Sequence, residues 1–329
     1  MRLLPFAFAL ALASSFALDA GAYCRTSTEG LRAGCTPRGT DCCTMGRPIY
    51  WRNACISFSM QRLGTQKLRT ISFVEASRTV AQAFNVWTSA SCPGGESSSR
   101  VSIDVRQLPP VDCGNVETKL DLANQNVIVF RDSVWNHRDP DNVLALTTVS
   151  FDKTSGEIRG ADLEFNSANI DMRCPSNNNQ DESIEASCFD APPPTGAYDF
   201  ASITTHEVGH FLGMAHSNNP QATMAPQYTG GQYTLRTLTA DDIAGICSVY
   251  PPNYTRNVGD EGKDSIPEGP CDPTPLNGFS VDCAEKSCFI FCCSTGAALA
   301  SPGRGSLGIF GGALALAALR LRRSRRARP

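Results

Sequence analysis

The run His206-Glu207-Val208-Gly209-His210-Phe211-Leu212-Gly213-Met214-Ala215-His216 constrains this chain more than any other feature, because it uses three of the four histidines present in 329 residues. On a helix, residues i and i+4 share a face, so His206 and His210 present two imidazoles to one point. Glu207 lies close by without occupying the same ligand direction. Gly213 lets the chain turn sharply after the helix, and His216 can return as a third ligand. Three neutral nitrogens with one open position describe a catalytic zinc site, whereas a structural site is closed by a fourth side chain, commonly cysteine. Three unrelated histidines of core and surface would be the competing reading of a bare H-E-x-x-H. Gly213 and His216 in register weigh against it.

Ala222-Thr223-Met224 follows closely, where a lone methionine would otherwise read as core filler. The long histidine pattern with this methionine behind it resembles the metzincin zinc peptidases. Within that clan the chain resembles the matrixins. Ser217 directly follows the third histidine, and Met224-Ala225-Pro226-Gln227-Tyr228 carries an M-x-P-x-Y pattern. Leu238-Thr239-Ala240-Asp241-Asp242-Ile243, ending at Tyr250-Pro251, looks like the matrixin C-terminal helix. The specific likeness covers residues 202–251, and a weaker one reaches back to about Ile49. It implies an α+β catalytic domain, a twisted mixed β-sheet with an active-site helix below the cleft and a C-terminal helix. It implies one catalytic Zn2+ held by His206, His210 and His216, with Glu207 as general base. Met224 becomes the structural floor beneath the metal, and Pro226 and Tyr228 a wall of the adjoining substrate pocket; a core tyrosine is the alternative for Tyr228. Residues 160–165 match the matrixin cleft-edge strand, to which an extended substrate could add by β-pairing.

Two departures from that family stand out. His137 and Asp139 superficially resemble the start of a second, structural zinc site, but no histidine follows in residues 144–166, so none is expected. Pro37-Arg38-Gly39 lacks the cysteine of a Pro-Arg-Cys-Gly prodomain switch, although Cys42 and Cys43 are near and could in principle block zinc. Asp139, Asp141, Asp152 and Asp162 offer oxygen ligands for Ca2+, but scattered acids are usually solvated.

Residues 1–22 read as a signal peptide: Arg2, an apolar stretch, then Ala20-Gly21-Ala22 before Tyr23. The fifteen cysteines agree with an oxidising compartment. Pairing is not readable from spacing; Cys92–Cys113 and Cys174–Cys188 are nearest-neighbour guesses. Residues 23–48 form a Cys-rich segment too small for its own core, and residues 49–251 the catalytic domain. Within it, alternation predicts a strand over 49–60. A capping box at Ser72 and Glu75 opens a helix carrying Phe73, Ala76, Val80, Phe84 and Trp87. Strands are expected over 101–108 and 126–130, and over 144–151 and 158–165 around a turn at 152–156. Residues 167–197 form a long surface loop pinned by disulfides. Asp199 is the N-cap of the metal helix, and the closing helix starts at Thr239 with Asp242 in capping-box position. Residues 252–270 read as a linker, 271–293 as a small Cys-rich module, and 294–329 as a tail.

The tail is apolar and uncharged over 305–319, and six arginines fall among the last ten residues. As a helix of ~1.5 Å rise per residue, the apolar run is short of a ~30 Å hydrocarbon core and would span only with help from its flanks. The tail resembles myxobacterial C-terminal sorting tails, which implies membrane or cell-surface association; an ordinary membrane anchor or a basic disordered tail is the alternative. The formal net charge of −3 becomes −10 without the seven arginines beyond Cys293. So acidic a body argues against a nucleic-acid partner. The expectation is an exported zinc endopeptidase of protein or peptide substrates, secreted or anchored at a bacterial cell surface. A non-catalytic adhesin on the same scaffold, or a zinc amidase acting on cell-wall peptides, is the alternative.

Overall fold

The computed structural model describes residues 22–283 and 313–321, apart from 40, 94–98, 115, 117–119, 121, 176–186, 260–263, 276 and 281–282. The expected signal peptide falls outside them up to residue 21, as do residues 284–293 of the expected module and most of the tail.

The first long strand, β1, is Cys55–Gln61, buried at all but its last residue. Helix α1, Phe73–Thr88, follows; Ser72 and Glu75 form the reciprocal capping box, and Ala76, Val80, Ala83, Phe84 and Trp87 make its buried face. Strands β2 (Asp104–Val111) and β3 (Val127–Phe130) both run parallel to β1. Parallel neighbours need a crossover, which α1 supplies between β1 and β2. Strands β4 (Val143–Phe151) and β5 (Ile158–Phe165) form an antiparallel pair. Asp152 Oδ1 accepts from the Thr154 and Ser155 amides at 2.8 Å and fixes their turn. Gly156 closes it at φ +81, where a Cβ would lie 2.5 Å from the Pro48 carbonyl.

Helix α2 is Phe200–Phe211, β6 is the two-residue strand Gln227–Tyr228, and helix α3 is Ala240–Val249. Strand β7, Ala313–Leu321, comes from the C-terminal tail. The sheet order is β6-β7-β4-β5-β3-β1-β2. Strands β5, β3, β1 and β2 run parallel, with β4 opposed to them. This is the expected α+β architecture with a mixed sheet. Aromatic rings tie its layers together. Phe84 of α1 stacks on Phe58 of β1 at 4.7 Å and meets Phe211 of α2 edge-on at 5.0 Å. At the other end of α2, Phe200 packs on Phe165 of β5 at 4.8 Å.

Four expectations need correction. Residues 160–165 are not the cleft edge: β5 lies between β4 and β3, and β4 is the strand that pairs outward. Residues 252–270 are not a free linker, because Thr255–Asn257 and Ser265–Pro267 form an antiparallel hairpin. Arg256 within it is fully buried and donates to the Trp51 carbonyl at 2.8 Å and the Ser102 hydroxyl at 2.8 Å. Cys92 pairs with Cys247 and Cys113 with Cys283, so the guessed Cys92–Cys113 bridge is absent, while Cys174–Cys188 is present. Cys271 is bonded to Cys55 and Cys283 to Cys113, so the described part of the 271–293 module is stapled to β1 and the end of β2 rather than closed on itself.

Candidate active site

Both ends of α2 are anchored by side chains from elsewhere. Asp199 caps the N-terminus, its Oδ2 accepting from the Ser202 amide at 3.0 Å. The same carboxylate takes a bidentate pair from buried Arg236, both contacts at 2.7 Å. At the C-terminus, carbonyls that lack helical partners are met by Trp51 Nε1, which donates to Phe211 O at 2.8 Å, and by the Tyr250 hydroxyl, which donates to Leu212 O at 2.9 Å. Gly213 then turns the chain at φ +94; a Cβ there would sit 3.0 Å from the Ile49 carbonyl. That turn brings His216 back over the helix.

His206 and His210 are buried, and the three imidazoles converge with ring centroids 4.8, 5.2 and 4.8 Å apart. One ligand atom from each lies within 4.8 Å of the others. His206 Nδ1 donates to the Thr223 carbonyl at 2.7 Å and His210 Nδ1 to the Met214 carbonyl at 2.8 Å. A carbonyl can only accept, so these contacts place a proton on each Nδ1 and leave each Nε2 with its lone pair. The two Nε2 atoms face each other at 3.1 Å. Two lone pairs that close repel unless a cation lies between them, so this donor set fits a metal such as zinc. Burial holds His206 well below its ordinary pKa, with His210 and His216 adding to the effect, and burial pushes His210 down to about 4. Both rings are therefore neutral near pH 7, the state a ligand needs.

Glu207 is buried on the same helix. Its Oε2 accepts from the Thr147 hydroxyl at 2.7 Å, and that hydroxyl also lies 3.1 Å from the Glu207 carbonyl. Thr147 sits on β4, so the helix carboxylate is oriented by the strand beside it.

Met224 is buried against α2, and its packing explains Gly209. A Cβ at Gly209 would lie 2.2 Å from Met224 Sδ and 2.7 Å from the Trp87 ring. Asp242 holds the turn around Met224, its Oδ1 accepting from the Met224 amide at 3.0 Å and its Oδ2 from the Thr223 amide at 2.9 Å. Its Oδ2 also accepts from the Thr239 amide at 2.8 Å in the α3 capping box. One carboxylate thus completes the α3 capping box and fixes the segment whose carbonyl orients His206. Pro226 lines an open cavity of about 310 Å³ with Ser217, Asn218, Ala225 and Gln227. Tyr228 is fully buried; its hydroxyl accepts from the Asp199 amide at 2.8 Å and donates to the Gln232 carbonyl. Burial pushes this phenol above its ordinary pKa.

Thr147 was not legible as a site residue, and Asp242 only as a capping residue. His137 contacts Glu164 at 2.8 Å and meets Trp135 edge-on. Of the four acids considered for calcium, Asp162 accepts from the Val127 amide at 2.7 Å inside the sheet, and Asp152 serves its turn. Cys24 and Cys35 are bonded to Cys42 and Cys43, so those cysteines are not thiols directed at a metal.

A sheet with one opposed strand, a helix bearing two histidines, a glycine turn to a third, and a methionine packed beneath define a metzincin-type chain. The Matrixin family model matches residues 50–251, and the chain belongs to that family. It is 36% identical over 84 residues to Metalloendoproteinase 1-MMP of Arabidopsis thaliana, covering 25% of this chain and 23% of that protein. It is 46% identical over 52 residues to Matrilysin of Rattus norvegicus, covering 16% and 20%. It is 38% identical over 77 residues to Neutrophil collagenase of Homo sapiens, covering 23% and 16%. The aligned segments thus span about a fifth of the length of these relatives.

Proposed function

We propose that this chain is an exported zinc-dependent endopeptidase acting on proteins or peptides. The observation that carries the reading is the pair of Nε2 atoms at 3.1 Å, each turned inward by a hydrogen bond from its own Nδ1 to a backbone carbonyl. His206, His210 and His216 would hold the metal. Bound zinc would supply Lewis acidity, polarising a peptide carbonyl and acidifying a water. Glu207, held by Thr147, takes the proton of the attacking water and delivers it to the leaving amine. Pro226, two residues after Met224, would form a wall of the substrate pocket, and Tyr228 stiffens that segment through its two hydrogen bonds. Membership of the matrixin family and the likeness to metalloendoproteinases support the same reading.

Export is part of the proposal, supported by the disulfides Cys24–Cys42, Cys35–Cys43, Cys55–Cys271, Cys92–Cys247, Cys113–Cys283 and Cys174–Cys188. Its finer part is that the chain is secreted or held at a bacterial cell surface through residues 294–329. Among the described residues, no helix is long and apolar enough to cross a membrane.

The purified full chain is expected to contain one zinc and to cut a proteome-derived peptide library. A chelator should stop cleavage and added zinc restore it. Folded protein that carries no transition metal and takes none up would defeat the proposal.

A further inference from the structure

The outward edge of β4 is already occupied by the chain itself. Strand β7 pairs antiparallel along β4, from Ala313 opposite Phe151 to Arg320 opposite Val143. On its far side, β7 pairs parallel with the strand beside Pro226, placing Arg320 opposite Gln227 and Leu321 opposite Tyr228. Helix α2 lies alongside it. The register puts Ala317 opposite Thr147, the residue whose hydroxyl holds Glu207. A nine-residue segment of alanine, leucine and one arginine therefore runs the length of the groove, between the cleft edge and the pocket-side strand, past the general base.

An exposed sheet edge offers a row of backbone donors and acceptors to any extended peptide. Two strands cannot share one edge. We propose that Ala313–Leu321 is the resident ligand of this groove and partly shuts it, competing with other peptides for the edge of β4 until the tail is displaced or removed. The inference rests on the endopeptidase reading for what the groove does, but not for what fills it. It also gives the apolar part of the tail a role inside the fold: while it pairs with β4 it is not available as an anchor. The groove, on this view, takes extended segments that enter antiparallel to β4.

The test uses the full chain and the double variant Leu316→Pro/Ala317→Pro. Successive residues of a strand point their N–H groups to opposite sides, so one of two consecutive prolines must remove a donor facing β4. Amide exchange is followed across Val143–Phe151 in zinc-free protein, together with thermal unfolding to confirm that the domain stays folded. In the unchanged chain these amides should be protected along both edges. In the variant, alternate amides should exchange at least tenfold faster, and with zinc bound kcat/KM for an unrelated quenched peptide should rise at least tenfold through a lower apparent KM. Equal exchange in the two proteins would overturn the occupancy. Faster exchange with unchanged kcat/KM would overturn the claim that the segment shuts the groove. Faster exchange in a protein that cleaves nothing with zinc bound would refute the endopeptidase reading and leave the resident ligand standing.

Discussion

Gly209 stands inside the metal helix because nothing larger fits between α2, Met224 and Trp87. Gly209→Ala should improve helix propensity by about 1 kcal/mol, yet it places a carbon 2.2 Å from Met224 Sδ. Overpacking of that kind costs about 1–3 kcal/mol, so the variant should melt lower and bind zinc more weakly, as calorimetry and metal titration would show. The histidines make a second prediction. Burial holds the folded pKa of His206 and His210 below the ~6.5 of an unfolded chain. Between that value and about 4 the unfolded state binds more protons, so stability rises with pH across the window and is lost as pH falls through it. The metal-free chain should lose about 3 kcal/mol from His210 alone between pH 7 and pH 4, measurable by denaturant melts. A melt independent of pH over that range would contradict the burial of these rings.

At the scale of elements, α2 and the turn around Met224 are one assembly, because Asp242 serves both. Asp242→Ala should strand the Thr223, Met224 and Thr239 amides together, leaving α3 with only the Thr239 hydroxyl of its capping box. A loss of about 3 kcal/mol or more is expected, with zinc affinity falling as Thr223 ceases to orient His206. Equilibrium unfolding and zinc binding of the same preparation would show whether the two effects travel together. The helices were readable in the sequence because their signals are local: the boxes at Ser72 and Thr239 and the cap at Asp199 each lie within three residues of their partners. The hairpin of β4 and β5 was readable for the same reason. The cleft edge was not, since it depends on which of two adjacent strands pairs outward. Thr147 was invisible because Glu207 lies sixty residues further along the chain. Arg256 misled because a charged residue in a polar stretch carries no periodic sign of burial.

In the whole molecule, disulfides do what sequence spacing could not reveal. Cys92–Cys247 joins the segment after α1 to α3 across 155 residues, and Cys55–Cys271 ties β1 to the chain beyond the closing helix. Loop closure of that length contributes roughly 3–5 kcal/mol, so Cys92→Ala/Cys247→Ala should lower the melting temperature while leaving the histidines able to bind zinc at low temperature. These long staples, the hairpin carrying the buried Arg256 and the paired tail strand all close around strands β1–β5, so the site sits in a frame built from segments far apart in the chain. The central claim is chemical, and it is tested most directly by the turnover of Glu207→Gln at matched zinc content. The account predicts full metal binding with peptide hydrolysis reduced roughly 10²–10⁴-fold. Hydrolysis at the unchanged rate by that zinc-loaded variant would contradict it.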